Sequence, residues 1–249
     1  MAASTAAAAK KAIQVVLLDI EGTVCPISFV KDILYPYSVA ALPKTLAEKW
    51  DDPSFAPYIE AFPAEYRTPS ALTSHFEDLV NSDIKASYLK GLQGLLWKDG
   101  YYSGEIKAPL FSDVVPALNK WKADGKSLMI YSSGSVAAQK LLFEYTGVEG
   151  SDLKAEAAVN VNPILSDYFD TINAGPKTAA ASYSKILAAH AAEFPEAESW
   201  LFLSDNVLEV EAAKAAGLTS YIVQRPGNAP LADTVPAKHR VITTFDGLL

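Results

Sequence analysis

Four short polar groups at predicted strand ends hold the residues that could do chemistry. They are Asp19-Ile-Glu21-Gly-Thr23, Ser132-Ser133-Gly134, Gly175-Pro-Lys177 and Ser204-Asp205. A carboxylate exposed at the end of a strand can attack phosphorus and form an aspartyl-phosphate, which divides a difficult hydrolysis into two easier steps. Asp19 follows the apolar run Gln14–Leu18 and is therefore the candidate nucleophile.

A phosphoryl group brings negative charge that repels a bare carboxylate, so such a site needs a divalent cation. Asp19 and Asp205 could supply oxygen ligands, and Mg²⁺ suits a site of one or two carboxylates plus a phosphate oxygen. Ser132 and Ser133 offer hydroxyl and N–H donors to the other phosphate oxygens, and Lys177 offers a point charge. These residue types together indicate Mg²⁺-dependent phosphoryl transfer.

Each of these residues also has a purely structural interpretation. Asp19 could form a turn or cap a helix, the two serines could cap the helix that starts near Ser135, and Lys177 could be a surface lysine. Gly22 and Thr23 indicate a sharp turn after the strand. Since the four groups occur together, a functional role is the better interpretation of these residues. Glu209 is expected to buttress the metal site or form a local salt bridge.

The apolar runs predict the elements that position these groups. A short, branched, fully apolar run is typical of a parallel strand buried on both faces. Runs of this kind, three of them with one polar residue at the start, occur at 14–18, 127–131, 200–203 and 220–223. Helix-like stretches occur at 113–124 and 207–216. The alternation predicts a doubly wound, Rossmann-like parallel sheet of the α/β class, with helices on both faces. In a parallel sheet the four polar groups would meet at one edge.

The segment 27–109 has a different pattern, with helical periodicity and no strand-like run. We predict an all-α cap domain at 27–109, inserted into an α/β core made of 12–26 and 110–249. The insertion follows the first strand directly. In open α/β sheets, ligands bind at the carboxyl ends of the strands, so a module inserted there would cover the site.

The amino-acid composition and net charge disfavour several classes of function. The 249 residues are 50% hydrophobic and 20% charged, which suits a globular protein with a sizeable core. There are 21 Lys plus Arg against 29 Asp plus Glu, a net charge of −8 that disfavours nucleic-acid and membrane partners. The single cysteine, Cys25, excludes an intramolecular disulfide and a cysteine metal cluster, and it fits a reducing compartment. A small ligand is the expected partner.

The order of the four polar groups resembles the haloacid-dehalogenase superfamily of aspartyl-phosphate phosphohydrolases. Longer stretches are similar to the enolase-phosphatases of methionine salvage, and these stretches are Leu18–Tyr37, Leu92–Trp97, Ile130–Phe143 and Val223–Asn228. The resemblance runs from about residue 13 to residue 247. It implies a monomeric, cytoplasmic enzyme with one Mg²⁺ per subunit, and it leaves the nucleus open as a second location.

The resemblance also implies a substrate and two reactions. Enzymes of this kind enolise 2,3-diketo-5-methylthiopentyl 1-phosphate and then remove its phosphate, which leaves the acireductone 1,2-dihydroxy-3-keto-5-methylthiopentene. Asp19 would be nucleophile and metal ligand, and Asp205 the second metal carboxylate. Ser132, Ser133 and Lys177 would contact the substrate, with Lys177 also counted as catalytic.

Glu21 is implied as both a catalytic and a metal-site residue. Most phosphatases of the superfamily have Asp at this position, and the shorter acid is their general acid and base. Two roles therefore remain open for Glu21: protonation of the leaving oxygen, or shaping of the metal site.

Three other functions compete with this one. A generic Mg²⁺-dependent phosphate-monoester hydrolase would use the same residues without enolisation. A phospho-accepting signalling module also places Asp, Ser or Thr, and Lys at strand ends, but it lacks a helical insert of about eighty residues and does not turn over. A catalytically silent interaction protein is disfavoured because every polar site position is present.

Overall fold

The computed structural model describes residues 12–84, 86–150 and 157–249. Its strands are β1 (Val15–Leu18), β2 (Ala108–Leu110), β3 (Ser127–Tyr131), β4 (Thr146–Val148), β5 (Asp167–Phe169), β6 (Trp200–Ser204), β7 (Thr219–Val223) and β8 (Val241–Ile242). A six-stranded sheet has the order β5-β3-β1-β6-β7-β8, and all of its pairings are parallel. This confirms the predicted doubly wound parallel sheet.

The helices fill the connections between the strands. They are α1 (Tyr35–Lys49), which follows a π-helical turn at Phe29–Leu34, α2 (Ala56–Glu60), α3 (Pro69–Asn81), α4 (Ser87–Ser103), α5 (Val114–Ala123), α6 (Val136–Glu144), α7 (Ala180–Ala189), α8 (Val207–Ala215) and α9 (Val235–Lys238). Within the described ranges, no helix is long and apolar enough to cross a bilayer.

Strand β1 lies at the centre of the sheet and sets the position of the site. Its four residues are fully buried, as a strand covered on both faces requires. Leu18 pairs with Ile130 of β3 on one side and with Leu203 of β6 on the other. The carboxyl ends of these three strands are therefore level, and Asp19 follows β1 where Ser204 ends β6.

The main core packs against one face of this sheet. Alternate strand residues meet residues of α7 and α8 in one cluster, whose members include Val15, Leu17, Met129, Tyr131, Tyr183, Ile186, Trp200, Phe202 and Ala213. The ring of Tyr183 lies edge-on to Tyr131 and to Phe202, with centroid distances of 5.4 and 5.1 Å. Such edge-to-face geometry is favourable for aromatic pairs, so Tyr183 fixes α7 on the sheet.

The chain divides into two compact units. The first consists of the described residues up to Val24 with Ser112–Val136 and Pro163–Leu249, and the second of Cys25–Phe111 with the described part of Ala137–Asn162. Sequence analysis assigned 137–162 to the core instead. The segment belongs to the second unit because its strand β4 pairs in parallel with β2, so that unit contains a two-stranded sheet as well as helices.

The second unit has a hydrophobic core of its own. Helices α1, α3 and α4 contribute most of its buried residues, which are Leu42, Leu46, Phe55, Phe62, Leu72, Phe76, Leu79, Leu89, Leu92 and Leu96. Helix α3 begins with Pro69, and Thr68 caps it by accepting a hydrogen bond from Ala71 N at 3.3 Å. This unit therefore buries its apolar surface internally.

Candidate active site

Asp19 lies at the carboxyl end of β1 and forms an ion pair with Lys177. The Lys177 ammonium contacts Asp19 Oδ1 and lies 2.7 Å from Glu209 Oε2, so one cation separates two buried carboxylates. Burial alone would lower the pKa of Lys177, but the charges of Asp19 and Glu209 raise that pKa overall. Lys177 is therefore a fixed positive charge. Glu209 forms a salt bridge, but with Lys177, which is 32 residues away, and not with the local partner that the sequence predicted.

Two hydroxyl groups approach the second oxygen of Asp19. Thr23 Oγ1 donates to Asp19 Oδ2 at 3.3 Å, and Ser204 Oγ lies 3.4 Å from the same oxygen. Ser204 Oγ is also 2.8 Å from Glu209 Oε2. A hydroxyl has only one proton to donate, and the shorter distance favours Glu209 as its acceptor.

Thr23 links the two strand ends that carry the candidate carboxylates. Its Oγ1 donates to Asp19 and also accepts a hydrogen bond from Asp205 N at 3.1 Å. The side chain is fully buried. Sequence analysis predicted only a turn at Thr23, because nothing local indicates a partner so far along the chain.

Asp205 follows β6 and lies against the turn after β1. Burial, followed by the charges of Asp19 and Glu209, raises the pKa of Asp205 to about 7. Gly22 has a φ of +72°, and a Cβ at this position would lie 2.5 Å from Asp205 Oδ2. Both the left-handed backbone and the close approach require glycine, which agrees with the predicted sharp turn.

The balance of charges at the site suits a divalent cation. The carboxylates of Asp19, Asp205 and Glu209 outnumber the single ammonium of Lys177, and all four groups are at least partly desolvated. Within the described ranges, no three His, Cys, Asp or Glu side chains form a metal-binding cluster. Mg²⁺ usually takes only one or two carboxylates and keeps several waters. Asp19 and Asp205 fit that requirement.

The loop that carries Lys177 precedes α7 and is fixed by three hydroxyl groups. Tyr131 Oη donates to Gly175 O at 2.8 Å, Ser182 Oγ donates to Pro176 O at 2.8 Å, and Tyr183 Oη donates to Lys177 O at 2.7 Å. Each of these donors comes from β3 or α7. The Lys177 backbone is therefore held by the same aromatic residues that build the core.

Ser132 and Ser133 form the loop between β3 and α6. Ser132 N donates to Phe169 O at 3.1 Å, and Ser132 Oγ accepts from Gly134 N at 3.3 Å. Ser132 is buried and Ser133 is exposed. The register of β1 and β3 places this loop beside the strand end that carries Asp19.

Asp170 fixes the end of this loop, where α6 begins. The sequence did not identify it as a candidate residue. It is buried, and its Oδ2 accepts from Val136 N at 3.1 Å, where α6 begins. Its Oδ1 accepts from Ile172 N and Asn173 N at 2.8 and 2.9 Å. Asp170 directly follows the short strand β5, and that position is the only sequence signal that could have found it.

Glu21 lies two residues after Asp19 in the same turn, and its side chain is half-buried. Both of its predicted roles, acid–base catalysis and metal binding, remain predictions. The structure thus brings together Asp19, Lys177 and Asp205 and places Ser132 and Ser133 at the neighbouring strand end. It adds Thr23, Ser204 and Glu209 as direct partners of the first three.

Comparison with known proteins identifies the family of this chain. Residues 13–217 match the family of haloacid dehalogenase-like hydrolases. Enolase-phosphatase E1 of Podospora anserina is 61% identical over 233 residues, which cover 93% of this chain and 96% of that protein. Enolase-phosphatase E1 of Neurospora crassa is 60% identical over 236 residues, which cover 94% of this chain and 97% of that protein.

A solved structure has the same fold. The crystal structure of the UTR4 protein of Saccharomyces cerevisiae matches with a TM-score of 0.82 and 40% sequence identity, covering 94% of this chain and 99% of that chain. Family match, sequence identity and fold lead to one conclusion. This chain belongs to the haloacid dehalogenase-like hydrolases and, among them, to the enolase-phosphatases.

Proposed function

We propose that this chain converts 2,3-diketo-5-methylthiopentyl 1-phosphate to the acireductone of methionine salvage, by enolisation followed by removal of phosphate. The observation that carries the phosphatase half is the Asp19 carboxylate at the end of β1, held between Lys177 and Thr23. The enolase half is supported by the name shared by relatives that are 60% and 61% identical over nearly the whole chain.

In the phosphatase step, an oxygen of Asp19 forms a bond to phosphorus while the bond from phosphorus to the substrate oxygen breaks. The leaving oxygen takes a proton, for which Glu21 is the proposed donor. Water then hydrolyses the aspartyl-phosphate and restores Asp19. Lys177, with Ser132 and Ser133, holds the phosphate oxygens and stabilises their developing charge.

We assign the metal to Asp19 and Asp205, with Glu21 as the third metal-site residue. When bound, Mg²⁺ supplies positive charge to the phosphate and polarises the carbonyl oxygen during enolisation. Removal of the proton next to that carbonyl requires a base within hydrogen-bond reach. Glu21 is the proposed base. It is the carboxylate nearest in sequence to Asp19, and Asp19 itself is already the proposed nucleophile.

Other parts of the proposal concern the whole protein. We propose that residues 27–109 act as a cap that selects the substrate, and that the enzyme is monomeric and cytoplasmic with one Mg²⁺ per subunit. The net charge of −8 disfavours nucleic-acid and anionic membrane partners, so a small molecule is the expected ligand.

The test follows the diketone phosphate by ultraviolet absorbance with a parallel measurement of released phosphate, with and without Mg²⁺. We expect an enol signal that precedes phosphate release, and both signals should depend on Mg²⁺. If phosphate appears without a preceding enol signal and the diketone is no better than a plain alkyl phosphate, the protein is a generic phosphatase. A stable phosphoprotein without turnover would instead indicate a signalling module.

The excess of carboxylates predicts how Mg²⁺ affects stability. Because the pKa of Asp205 is raised to about 7, most of this carboxylate is charged at pH 8, and in metal-free protein Asp205→Asn should raise the melting temperature by removing a desolvated charge repelled by Asp19 and Glu209. Mg²⁺ at about 100 times its dissociation constant should stabilise the wild type by about 2.7 kcal/mol, and Asp205→Asn should lose most of this response. Differential scanning calorimetry with and without Mg²⁺ measures both effects.

Asp124→Asn is the matched control, because Asp124 is exposed at the end of α5 and pairs only with Lys120 among its described contacts. It should keep the full Mg²⁺ response. An undiminished response in Asp205→Asn would remove Asp205 from the metal site.

A further inference from the structure

The segment Val223–Asn228, which follows β7, contacts the turn that carries the candidate carboxylates. Arg225 Nε donates to Thr23 O at 3.0 Å, and Asn228 Nδ2 donates to Gly22 O at 2.9 Å. Strand β7 pairs with β6 and not with β1. The loop after β7 therefore reaches across the end of β6 and holds two consecutive carbonyl groups of the turn.

Arg225 is a rigid support for this contact. It is 5% exposed, and its guanidinium lies 4.6 Å from the ring centroid of Phe245. Its Nη1 donates to Asp113 Oδ1 and to Thr243 O, both at 3.0 Å. Bonds from several sides fix the planar guanidinium in one orientation, so that its Nε–H points at Thr23 O.

Asp113 is in turn held by the end of the chain. Its Oδ2 accepts hydrogen bonds from Phe245 N at 2.6 Å and from Thr244 Oγ1 at 3.1 Å. Arg225 Nη1 also lies 2.9 Å from this oxygen, so both oxygens of the Asp113 carboxylate are engaged. A buried ion pair with additional hydrogen bonds of this kind is costly to disturb by removing one partner.

Asn228 has a second feature that points towards the carboxylates. Its Nδ2 donates to Gly22 O and to Val223 O, at 2.9 and 3.3 Å, and these two acceptors fix the orientation of the amide. The Oδ1 atom is buried and has no hydrogen-bond partner in the described part of the chain. It lies 3.1 Å from the position that a Cβ on Gly22 would take, and Asp205 Oδ2 lies 2.5 Å from that same position.

We propose that Arg225 and Asn228 are positioning residues for the metal site formed by Asp19 and Asp205. Arg225 and Asn228 hold the carbonyl groups of Thr23 and Gly22, and Thr23 bonds to both carboxylate-bearing residues. The Asn228 Oδ1 atom would serve as an acceptor for a water of the bound cation, since Mg²⁺ keeps several waters whose protons need acceptors. This inference rests on the Mg²⁺ site of the proposed function.

The test measures Mg²⁺ affinity by isothermal titration calorimetry without substrate, in the full-length protein. Asn228→Ala removes both the donor and the acceptor but leaves the Arg225–Asp113 pair intact, and it should weaken Mg²⁺ binding about 10-fold or more. Arg225→Lys keeps a positive charge near Asp113 but loses the Nε–H donor to Thr23 O. We expect it to weaken Mg²⁺ binding as well, with an unchanged circular dichroism spectrum.

Arg240→Met is the control, because Arg240 also lies over an aromatic ring, 4.5 Å from the centroid of Tyr221, but is exposed and lies beside the middle of β7. It should bind Mg²⁺ like the wild type. If Arg225→Lys does not fold, Asn228→Ala decides the question alone. Wild-type Mg²⁺ affinity in a folded Asn228→Ala variant would overturn the proposal. The calorimetric titration contains no substrate, so its result does not depend on the enol assay. A missing enol signal in that assay would refute the proposed function and leave the measured Mg²⁺ affinities unchanged.

Discussion

Asp19→Asn should lower phosphate release by about four orders of magnitude, as expected when a nucleophile that acts with other groups is removed. The amide keeps the shape of the side chain but cannot form the aspartyl-phosphate. Folding should persist, because Glu209 still pairs with Lys177 and the amide keeps one oxygen that can accept a hydrogen bond. Steady-state phosphate release by pure protein measures the effect.

The same variant separates the two reactions of the proposed function. In single turnover, Asp19→Asn should still produce the enol absorbance and should not release phosphate. The exposed Asp124→Asn variant is the control and should perform both steps like the wild type. Retention of a tenth of wild-type phosphate release in Asp19→Asn would exclude Asp19 as the nucleophile.

Lys177→Met should be the second most damaging substitution, because it removes the cation between two buried carboxylates. Asp19 and Glu209 would then face each other without a counter-charge. Breaking a buried ion pair by removing one partner typically costs about 3–5 kcal/mol, so the free energy of unfolding should fall by this amount. Phosphate release should fall by about 10³-fold, since the phosphate loses its fixed positive charge.

Two further variants separate the stability effect from the catalytic effect. Lys177→Met with Glu209→Gln should recover part of the lost stability, because only one of the two carboxylates remains charged, while activity stays low. Lys120→Met removes an exposed lysine that pairs with Asp124 and should change stability by less than about 1 kcal/mol. Urea denaturation measures all three. If Lys177→Met is as stable as the wild type, the described ion-pair cluster is wrong.

The sequence alone determined the sheet and the position of the candidate nucleophile, Asp19. Strand β1 is a fully apolar run of branched residues, a pattern that is typical of a strand covered on both faces. Since the strands are parallel, their carboxyl ends meet at one edge, and the polar residues that follow β1 and β6 must lie together there. Asp19 and Asp205 could therefore be paired as candidates although they lie far apart in the chain.

The tertiary structure decided which side chains support that pair. Thr23 contacts Asp205, and Arg225 and Asn228 contact the carbonyl groups of Thr23 and Gly22, over separations of 182 to 206 residues. No local periodicity encodes such hydrogen bonds, because they depend on strand register and on the conformations of separate loops. The pairing of β2 with β4 has the same origin. Local patterns fix which residues are buried or end a strand, and only folding brings distant polar groups within hydrogen-bond distance.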